Sequence, residues 1–375
     1  MENAILYVFL LAALIQAIFY LLVFTPILLP QNKVKNKNNA NLGNSEVIPL
    51  SVIICAKNEK DNLLNHLPQI LTQDYPNFEV IVVDDGSNDG TSQLLIGLQE
   101  KHAVLKVFTL EPAKKVGFGK KEALTLGITM ANNEWLVMTD ADCAPVSDDW
   151  LKLLSEKMID EKEMILGVGL YEKKWSLLNM LIRYETILVA LQYLNLAEMG
   201  MPYMGVGRNI AYKKSLFNIN GGFEKHKETS SGDDDLFVNA VATSQNCTFC
   251  MDPKSFTYSL APKTWKDWIR QKERHYTTGK KYKLMHQIIL SSFLASKLLF
   301  WIMPFYFLIE NIWNPQIQGA IIGTFFAFYF VIAWASIKFK EQLFWFFIPI
   351  LDFLLILLII PLGIKSTFFS KNKWA

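Results

Sequence analysis

The sequence predicts an α/β domain on a mostly parallel sheet, held between membrane-spanning helices at its two ends. Three observations carry that prediction. Between residue 48 and about residue 145, short β-branched runs alternate with stretches of helical period, the pattern of a parallel sheet covered on both faces. Two of the β-type runs, 78–83 and 135–139, end in close carboxylates, Asp84-Asp85 and Asp140-Ala141-Asp142. The chain is 51% apolar and 13% aromatic, and the apolar excess lies at its ends. A formal charge of only +2 argues against a nucleic-acid partner.

Residues 5–29 are unbroken by charge and long enough to cross about 30 Å of hydrocarbon. They exceed a signal h-region and no small-residue cleavage site follows, so 1–30 reads as a retained anchor. Lys33, Lys35 and Lys37 follow the anchor, whereas Met1-Glu2-Asn3 before it lacks a basic side chain. The positive-inside rule therefore places residue 30 onward in the cytoplasm, making a multi-pass protein of the cell (inner) membrane the expected form. Residues 31–47 are a polar, Asn- and Lys-rich linker.

The expected domain covers 48–285. A strand over 50–55 leads to a helix over 60–72, and a strand over 79–83 to a helix over 91–102. A strand over 105–109, a helix over 120–130 and a strand over 135–138 follow. No Gly-x-Gly-x-x-Gly comes after the first strand, which excludes a dinucleotide enzyme. The stretch 177–199 is apolar and helical but carries Arg183, Glu185 and Glu198. One charge at the bilayer centre costs about 2.5–3.5 kcal/mol, so this reads as a core or interfacial helix beside the acceptor path. Trp265, Trp268, Tyr276 and Tyr282, mixed with Lys263, Lys266, Lys280, Lys281 and Lys283, read as an amphipathic segment at the lipid surface.

Apolar runs over 288–309, 317–337 and 343–364 predict a C-terminal membrane region over 286–366, with a tail over 367–375. Lys338 and Lys340 suit a cytoplasmic turn, but four crossings would put Lys365, Lys371 and Lys373 outside. A re-entrant or interfacial segment therefore stays open beside four full crossings. Asp352 sits near the middle of the final run, where a carboxylate is expensive. It is expected to serve helix packing rather than acceptor contact, either paired with Lys297 or protonated, with Lys297 able to snorkel. Four cysteines suit a reducing compartment. Cys247-Thr248-Phe249-Cys250 has no second pair or nearby His to complete a metal site, so both read as buried in a strand.

In an open α/β sheet, ligands bind outside the carboxyl ends of the strands, so the two acidic pairs would face one crevice. Charge there is costly unless paired, solvated or bound to metal. The economical reading is one pair for a nucleotide and the other for a divalent metal on its phosphates.

The motifs resemble those of the family 2 glycosyltransferases, inverting enzymes of GT-A fold, including cellulose and hyaluronan synthase-like and ceramide glucosyltransferase-like members. The match begins at Ser51-Val52-Ile53-Ile54-Cys55-Ala56-Lys57-Asn58-Glu59 and continues through Val83-Asp84-Asp85-Gly86-Ser87 and Asp140-Ala141-Asp142, the DxD. Gly232-Asp233-Asp234-Asp235 and Gln271-Lys272-Glu273-Arg274-His275 follow in family order, so the resemblance covers about 48–280. It implies donor binding by Ala56, Asn58, Glu59 and Asp85 (to the base), Asp140 (to the ribose) and Lys120 of Gly117-Phe118-Gly119-Lys120. It implies Asp142 as ligand to Mn²⁺ or Mg²⁺, which favour oxygen donors and phosphates. It also implies Asp234 as the base that takes the acceptor proton, where crowded like charges suit a pKa near neutrality. Two adjacent lysines near a helix start are also common as a solvated face.

By the same resemblance, Asn209 in Gly205-Val206-Gly207-Arg208-Asn209 lines the acceptor side, and Gln271, Arg274 and His275 close the site. His275 stands where the family has Trp, which weakens a case for processive synthesis. The expected partners are a nucleoside diphosphate sugar, most simply a UDP-sugar, a lipid-linked or membrane-proximal acceptor, and membrane lipids. A processive polysaccharide synthase and a non-catalytic membrane scaffold are the alternatives.

Overall fold

A computed structural model describes residues 2–30, 47–110, 120–159, 161–229 and 231–369. Most of the expected linker, Gly117-Phe118-Gly119 of the lysine block, Lys33, Lys35, Lys37 and the tail lysines Lys371 and Lys373 lie outside the described residues. The chain divides into two compact units: residues 1–30, 173–198 and 262–370 in one, and 31–172, 199–261 and 371–375 in the other. Helix α1 (Glu2–Ile18) belongs to the first unit and is taken up with it below.

The second unit opens with β1 (Leu50–Ala56), α2 (Lys60–Leu71), β2 (Phe78–Asp84), α3 (Thr91–Gln99), β3 (Leu105–Thr109), α4 (Lys121–Met130) and β4 (Trp135–Asp140). Val52, Ile53, Ile54, Val80, Ile81 and Val82 are all fully buried, so these strands carry continuous apolar runs rather than an alternation. That is what a parallel sheet covered on both faces requires. Helix α2 turns Leu63, Leu67, Ile70 and Leu71 onto the sheet at helical spacing, with Asp61 in its first turn facing the positive end of its dipole.

The remaining elements of this unit are β5 (Cys143–Pro145), α5 (Trp150–Ser155), β6 (Met164–Leu166) and β7 (Gly169–Tyr171). In the first unit lies α6 (Leu177–Glu198); then come β8 (Ile210–Lys213), α7 (Lys214–Ile219), α8 (Asp235–Val241), β9 (Cys247–Phe249) and β10 (Thr257–Ser259). The main sheet runs β3-β2-β1-β4-β8-β6-β9, and a small sheet runs β5-β10-β7. β1, β2, β3 and β4 are parallel neighbours, while β8 is antiparallel to both β4 and β6. Cys247 and Cys250 are both buried and unoxidised, at β9 and directly after it.

The first unit gathers α1 and α6 with α9 (Trp265–Gly279), α10 (Leu284–Ile309), α11 (Pro315–Lys338) and α12 (Ile348–Phe369). Among the described residues, four stretches are long and apolar enough to cross a membrane: Asn3–Leu28, Leu284–Ile309, Pro315–Lys338 and Trp345–Gly363. The first three share a core that includes Phe9, Phe300, Phe307 and Ile317, with the Phe9 and Phe307 rings edge to face at 5.2 Å. The sequence boundaries placed 177–199 and 265–285 with the catalytic part; these helices instead pack among the apolar ones.

Burial explains that placement. Arg183 of α6 is paired with Glu341, and Glu185 of α6 with Lys272 of α9 at 2.7 Å, so the charges that bar α6 from lipid are spent inside the unit. Trp268, expected at the lipid surface, is fully buried instead, while Trp265 stays 40% exposed. Asp352 of α12 meets Lys297 and the Trp301 indole N–H of α10, the latter at 2.8 Å, and the Tyr184 hydroxyl of α6. Helix α10 begins at Leu284, which puts Lys297 mid-helix and buried, so it pairs rather than snorkels.

Candidate active site

β1, β2 and β4 end at one level: Ala56 pairs with Asp84, and Cys55 with Asp140, across the parallel ladders. The chain runs outward from β1 through β2 to β3, then returns to the far side of β1 as β4. The strand order thus reverses between β1 and β4, and the loops leaving them diverge. Such a reversal opens the crevice in which open α/β sheets hold ligands.

The turns after β1 and β2 are tied to each other. Asn58 adopts a left-handed backbone, φ +56°, which Asn tolerates better than most residues. Its N–H donates to Ser87 Oγ at 2.8 Å, and its Oδ1 accepts from the Asn88 N–H at 2.9 Å. The Glu59 N–H donates to Thr91 Oγ1 at 3.1 Å. Asp84 is fully buried, accepting from the Ser87 N–H and Oγ and from Ser92 Oγ, so it shapes the turn. Asp85 is buried too, its carboxylate 3.8 Å from Lys57 Nζ and its N–H on the Ala56 carbonyl at 2.8 Å. Ala56 therefore acts through its backbone.

At the end of β4, one oxygen each of Asp140 and Asp142 and the Cys143 sulfur lie within 4.8 Å of one another. Burial and the Asp140 charge push the Asp142 carboxyl up, against the opposing pull of Arg208. Burial, with Asp142 and Asp140, also holds the Cys143 thiol well above its usual range. A protonated thiol is a poor ligand, so the usable donors are two hard carboxylates, which fit Mn²⁺ or Mg²⁺ rather than zinc. Glu59 faces the same charges: burial, then Asp142 and Asp140, raise its carboxyl although Asn62 hydrogen-bonds it.

Lys120 bridges the two halves of the crevice. Its Nζ lies 2.7 Å from Asp140 and 3.0 Å from Asp233. Asp234, beside it, caps α8: Oδ1 accepts from the Asp235 N–H at 2.7 Å and Oδ2 from the Gly207 N–H at 2.8 Å. A Cβ at Gly207 would come within 3.3 Å of that Oδ2, so glycine allows the close approach. Burial, then the Asp233 and Asp235 charges, raise the Asp234 carboxyl to about 7. A cleft of about 310 Å³, counting its open mouth, is lined by Lys120, Thr139, Gly207, Tyr212, Asp233 and Asp234 among others.

Asp85, Lys120, Asp140, Asp142 and Asp234 are thus all in the second unit, at the carboxyl edge of its sheet. Gln271, Arg274 and His275 lie on α9 of the other unit, at i, i+3 and i+4 and so on one face; Arg274 and His275 are exposed. Asn209, expected on the acceptor side, is fully buried. Its Oδ1 accepts from Trp150 Nε1 at 3.1 Å, and its Nδ2 donates to the Val168 and Ser255 carbonyls at 2.9 and 2.8 Å. Asn209→Ala orphans three buried groups and is expected to cost about 2–4 kcal/mol in denaturant unfolding, with nucleotide affinity unchanged in the folded fraction.

Two cations beside the motif residues carry no role in the sequence reading. Arg208 is stacked 4.2 Å over the Tyr171 ring and donates to Ser259 Oγ at 2.9 Å and the Gly169 carbonyl at 3.1 Å. Lys121 is buried, not part of a solvated face. The only sequence signal for either was a cation next to a motif residue.

Residues 51–219 match the family described as Glycosyl transferase family 2. The stretch is a glycosyl transferase family 2 domain. The family 2 domain has the GT-A fold, and its matched stretch holds Asp85, Lys120, Asp140 and Asp142 but ends before Asp234. The chain is similar to the probable glycosyltransferase YdaM of Bacillus subtilis, 26% identical over 255 residues, 64% of this chain and 57% of that protein. It is also similar to the poly-beta-1,6-N-acetyl-D-glucosamine synthase of Staphylococcus epidermidis, 24% identical over 238 residues, 60% of this chain and 54% of that one. It spans just over half the length of these curated relatives. The solved mannosyltransferase PcManGT from Pyrobaculum calidifontis, in complex with GDP-Man and Mn²⁺, aligns over 97% of this chain and 100% of its own. The TM-score is 0.58 at 18% identity, a likeness of fold.

Proposed function

We propose that this chain is a membrane-held inverting glycosyltransferase, moving a sugar from a nucleoside diphosphate sugar to a lipid-linked or membrane-proximal acceptor in cell-envelope glycan or glycolipid synthesis. One observation carries the reading. A carboxylate with a pKa of about 7 (Asp234) is held by two backbone N–H donors beside a lysine that bridges to the DxD. A general base works best when its pKa lies near the working pH, and a carboxylate in water would be far too weak.

Each residue then has a task. Asp85 and the tied turns after β1 and β2 hold the base and ribose, with Asp140 on the ribose and Lys120 near the phosphates. Asp140 and Asp142 would hold a divalent cation, which when bound neutralises charge on the leaving diphosphate. Asp234 accepts the proton of the acceptor hydroxyl as its oxygen bonds to the sugar's anomeric carbon. The bond from that carbon to the phosphate oxygen breaks, and its electron pair leaves with the diphosphate. Attack from the face opposite the leaving group inverts the configuration. Gln271, Arg274 and His275 are proposed to close over the acceptor.

The four apolar helices support a multi-pass protein of the inner membrane, and the basic flank of the first supports a cytoplasmic catalytic unit. A UDP-sugar is the favoured donor. Membranes holding the protein, given labelled UDP- and GDP-sugars in turn, should transfer label from one class only. Chelation with EDTA should stop transfer by at least about tenfold and Mn²⁺ or Mg²⁺ should restore it, whereas full activity in EDTA would remove the metal from the scheme. A processive polysaccharide synthase is a second reading, favoured by the similarity to the Staphylococcus epidermidis synthase. Product sizing separates them, since a processive enzyme gives long chains at low turnover.

A further inference from the structure

Lys121 follows Lys120 at the start of α4, yet its ammonium goes elsewhere. The residue is only 5% exposed. Its Nζ donates to the carbonyls of His226 and Thr229, each at 2.6 Å, and of Ser231 at 2.9 Å. An ammonium has three N–H donors, and it finds acceptors here in three backbone carbonyls of the described residues. Burying that charge costs several kcal/mol unless every donor is satisfied, so the lysine is a considerable investment at this position.

All three carbonyls belong to the segment that runs straight into Gly232, Asp233 and Asp234. Among its described residues, that segment has no regular structure beyond a 3-10 turn, Glu224–His226, so sheet and helix ladders do not fix them. Gly232 completes it with φ +93°, and a Cβ there would strike Leu236 at 2.5 Å. Side chains of successive helical residues point about 100° apart. Lys120 and Lys121 therefore grip the acidic segment at two points, one through the Asp233 carboxylate and one through the backbone before it.

We propose that Lys121 is a positioning residue for the transfer: by holding the carbonyls of His226, Thr229 and Ser231, it fixes where Asp234 stands at the head of α8. The inference rests on the reading of Asp234 as the base. Removing the ammonium takes one donor from each of the three inward carbonyls, of which the His226 carbonyl still accepts from the Thr229 N–H at 3.0 Å, and water takes its place. The loop moves, Asp234 shifts from its hydrogen bonds, and water reaches its carboxylate. A misplacement of about 1 Å in a catalytic group costs about 10²-fold in rate. Water also relieves the burial that raises the Asp234 pKa.

The test compares full-length wild type with Lys121→Met, Lys121→Gln, Lys121→Arg and Asp234→Asn, using whichever labelled UDP- or GDP-sugar the wild type transfers in its own membranes. Lys121→Met should lower kcat by about 10–10²-fold, leave donor KM within about twofold, and move the acid limb of the pH–rate profile below 7. Lys121→Arg, which keeps a cation with several donors, should recover part of the loss, and Lys121→Gln less. Amide hydrogen exchange should quicken over 224–236 in Lys121→Met and stay unchanged in β1, β2 and β4. Unchanged kcat and pH profile in Lys121→Met, with Asp234→Asn inactive, would overturn the role of Lys121 alone. Activity surviving in Asp234→Asn would instead overturn the assignment of the base. If all three Lys121 variants fail to fold, Lys121 is a core strut and the inference is also overturned.

Discussion

Asp234→Asn is expected to lower sugar transfer by about 10²–10⁴-fold while nucleotide binding stays intact, the loss typical of a removed general base. The wild-type rate should rise with pH through a limb near 7, because the folded carboxyl titrates at about 7 and only its ionised form accepts a proton. The variant should have no such limb. Its stability should move the other way. The carboxyl's folded pKa of about 7 stands above its ordinary value of 3.8, so ionising it opposes folding. That penalty is absent below about pH 4, grows between pH 4 and 7, and is complete above 7. Asp234→Asn should therefore raise the apparent Tm at pH 8 and leave it unchanged at pH 4. Loss of stability at pH 8 alongside loss of activity would mean that the carboxylate is chiefly a helix cap.

The largest expected effect on stability lies in the other unit, at Asp352. Lys297, Tyr184 and Trp301 converge on this carboxylate from two helices, and it is 1% exposed. Removing one partner of a buried ion pair leaves the other uncompensated, which costs about 3–5 kcal/mol. Lys297→Met and Asp352→Leu should each fall in that range, read as detergent-solubilised yield and midpoint of thermal inactivation. The double variant should be much closer to wild type, because two apolar side chains replace both charges. Asp352→Asn keeps the shape and some hydrogen bonds and should retain transfer in the folded fraction. If transfer collapses in Asp352→Asn while yield and midpoint hold, Asp352 belongs to the acceptor path and not to helix packing.

Strand runs and acidic strand ends were legible because they follow from local rules. Residues 52–54 and 80–83 are too uniformly apolar for a surface strand, and β1, β2, β3 and β4 appear within two residues of their expected bounds. The spans are legible for the same reason, since apolar length is a local property. The small β5-β10-β7 sheet was not, because three-residue strands leave too little periodicity to read.

Side-chain assignments depended on distance along the chain. Asn58 and Ser87 both stand in motif blocks, yet the hydrogen bond from the Asn58 N–H to Ser87 Oγ joins two loops 29 residues apart, a tie that neither block reveals by itself. Asn209 is a polar residue at the edge of a motif, and only the fold shows that Trp150, Val168 and Ser255 use up its amide. The membership of α6 and α9 was hidden by their charges. Arg183 and Glu185 look costly in a helix among apolar spans until Glu341 and Lys272 are found beside them.

On this reading, the acidic edge of the β1–β2–β4 sheet handles a nucleoside diphosphate sugar with a divalent cation. Release of nucleoside diphosphate by the purified full-length protein, with and without Mn²⁺, tests it most directly when wild type is run beside Asp142→Asn. Wild type should release it only with the cation, and an Asp142→Asn protein whose melting curve is unchanged should lose at least about 10²-fold. Equal turnover by the two proteins, or release indifferent to the cation, would contradict it.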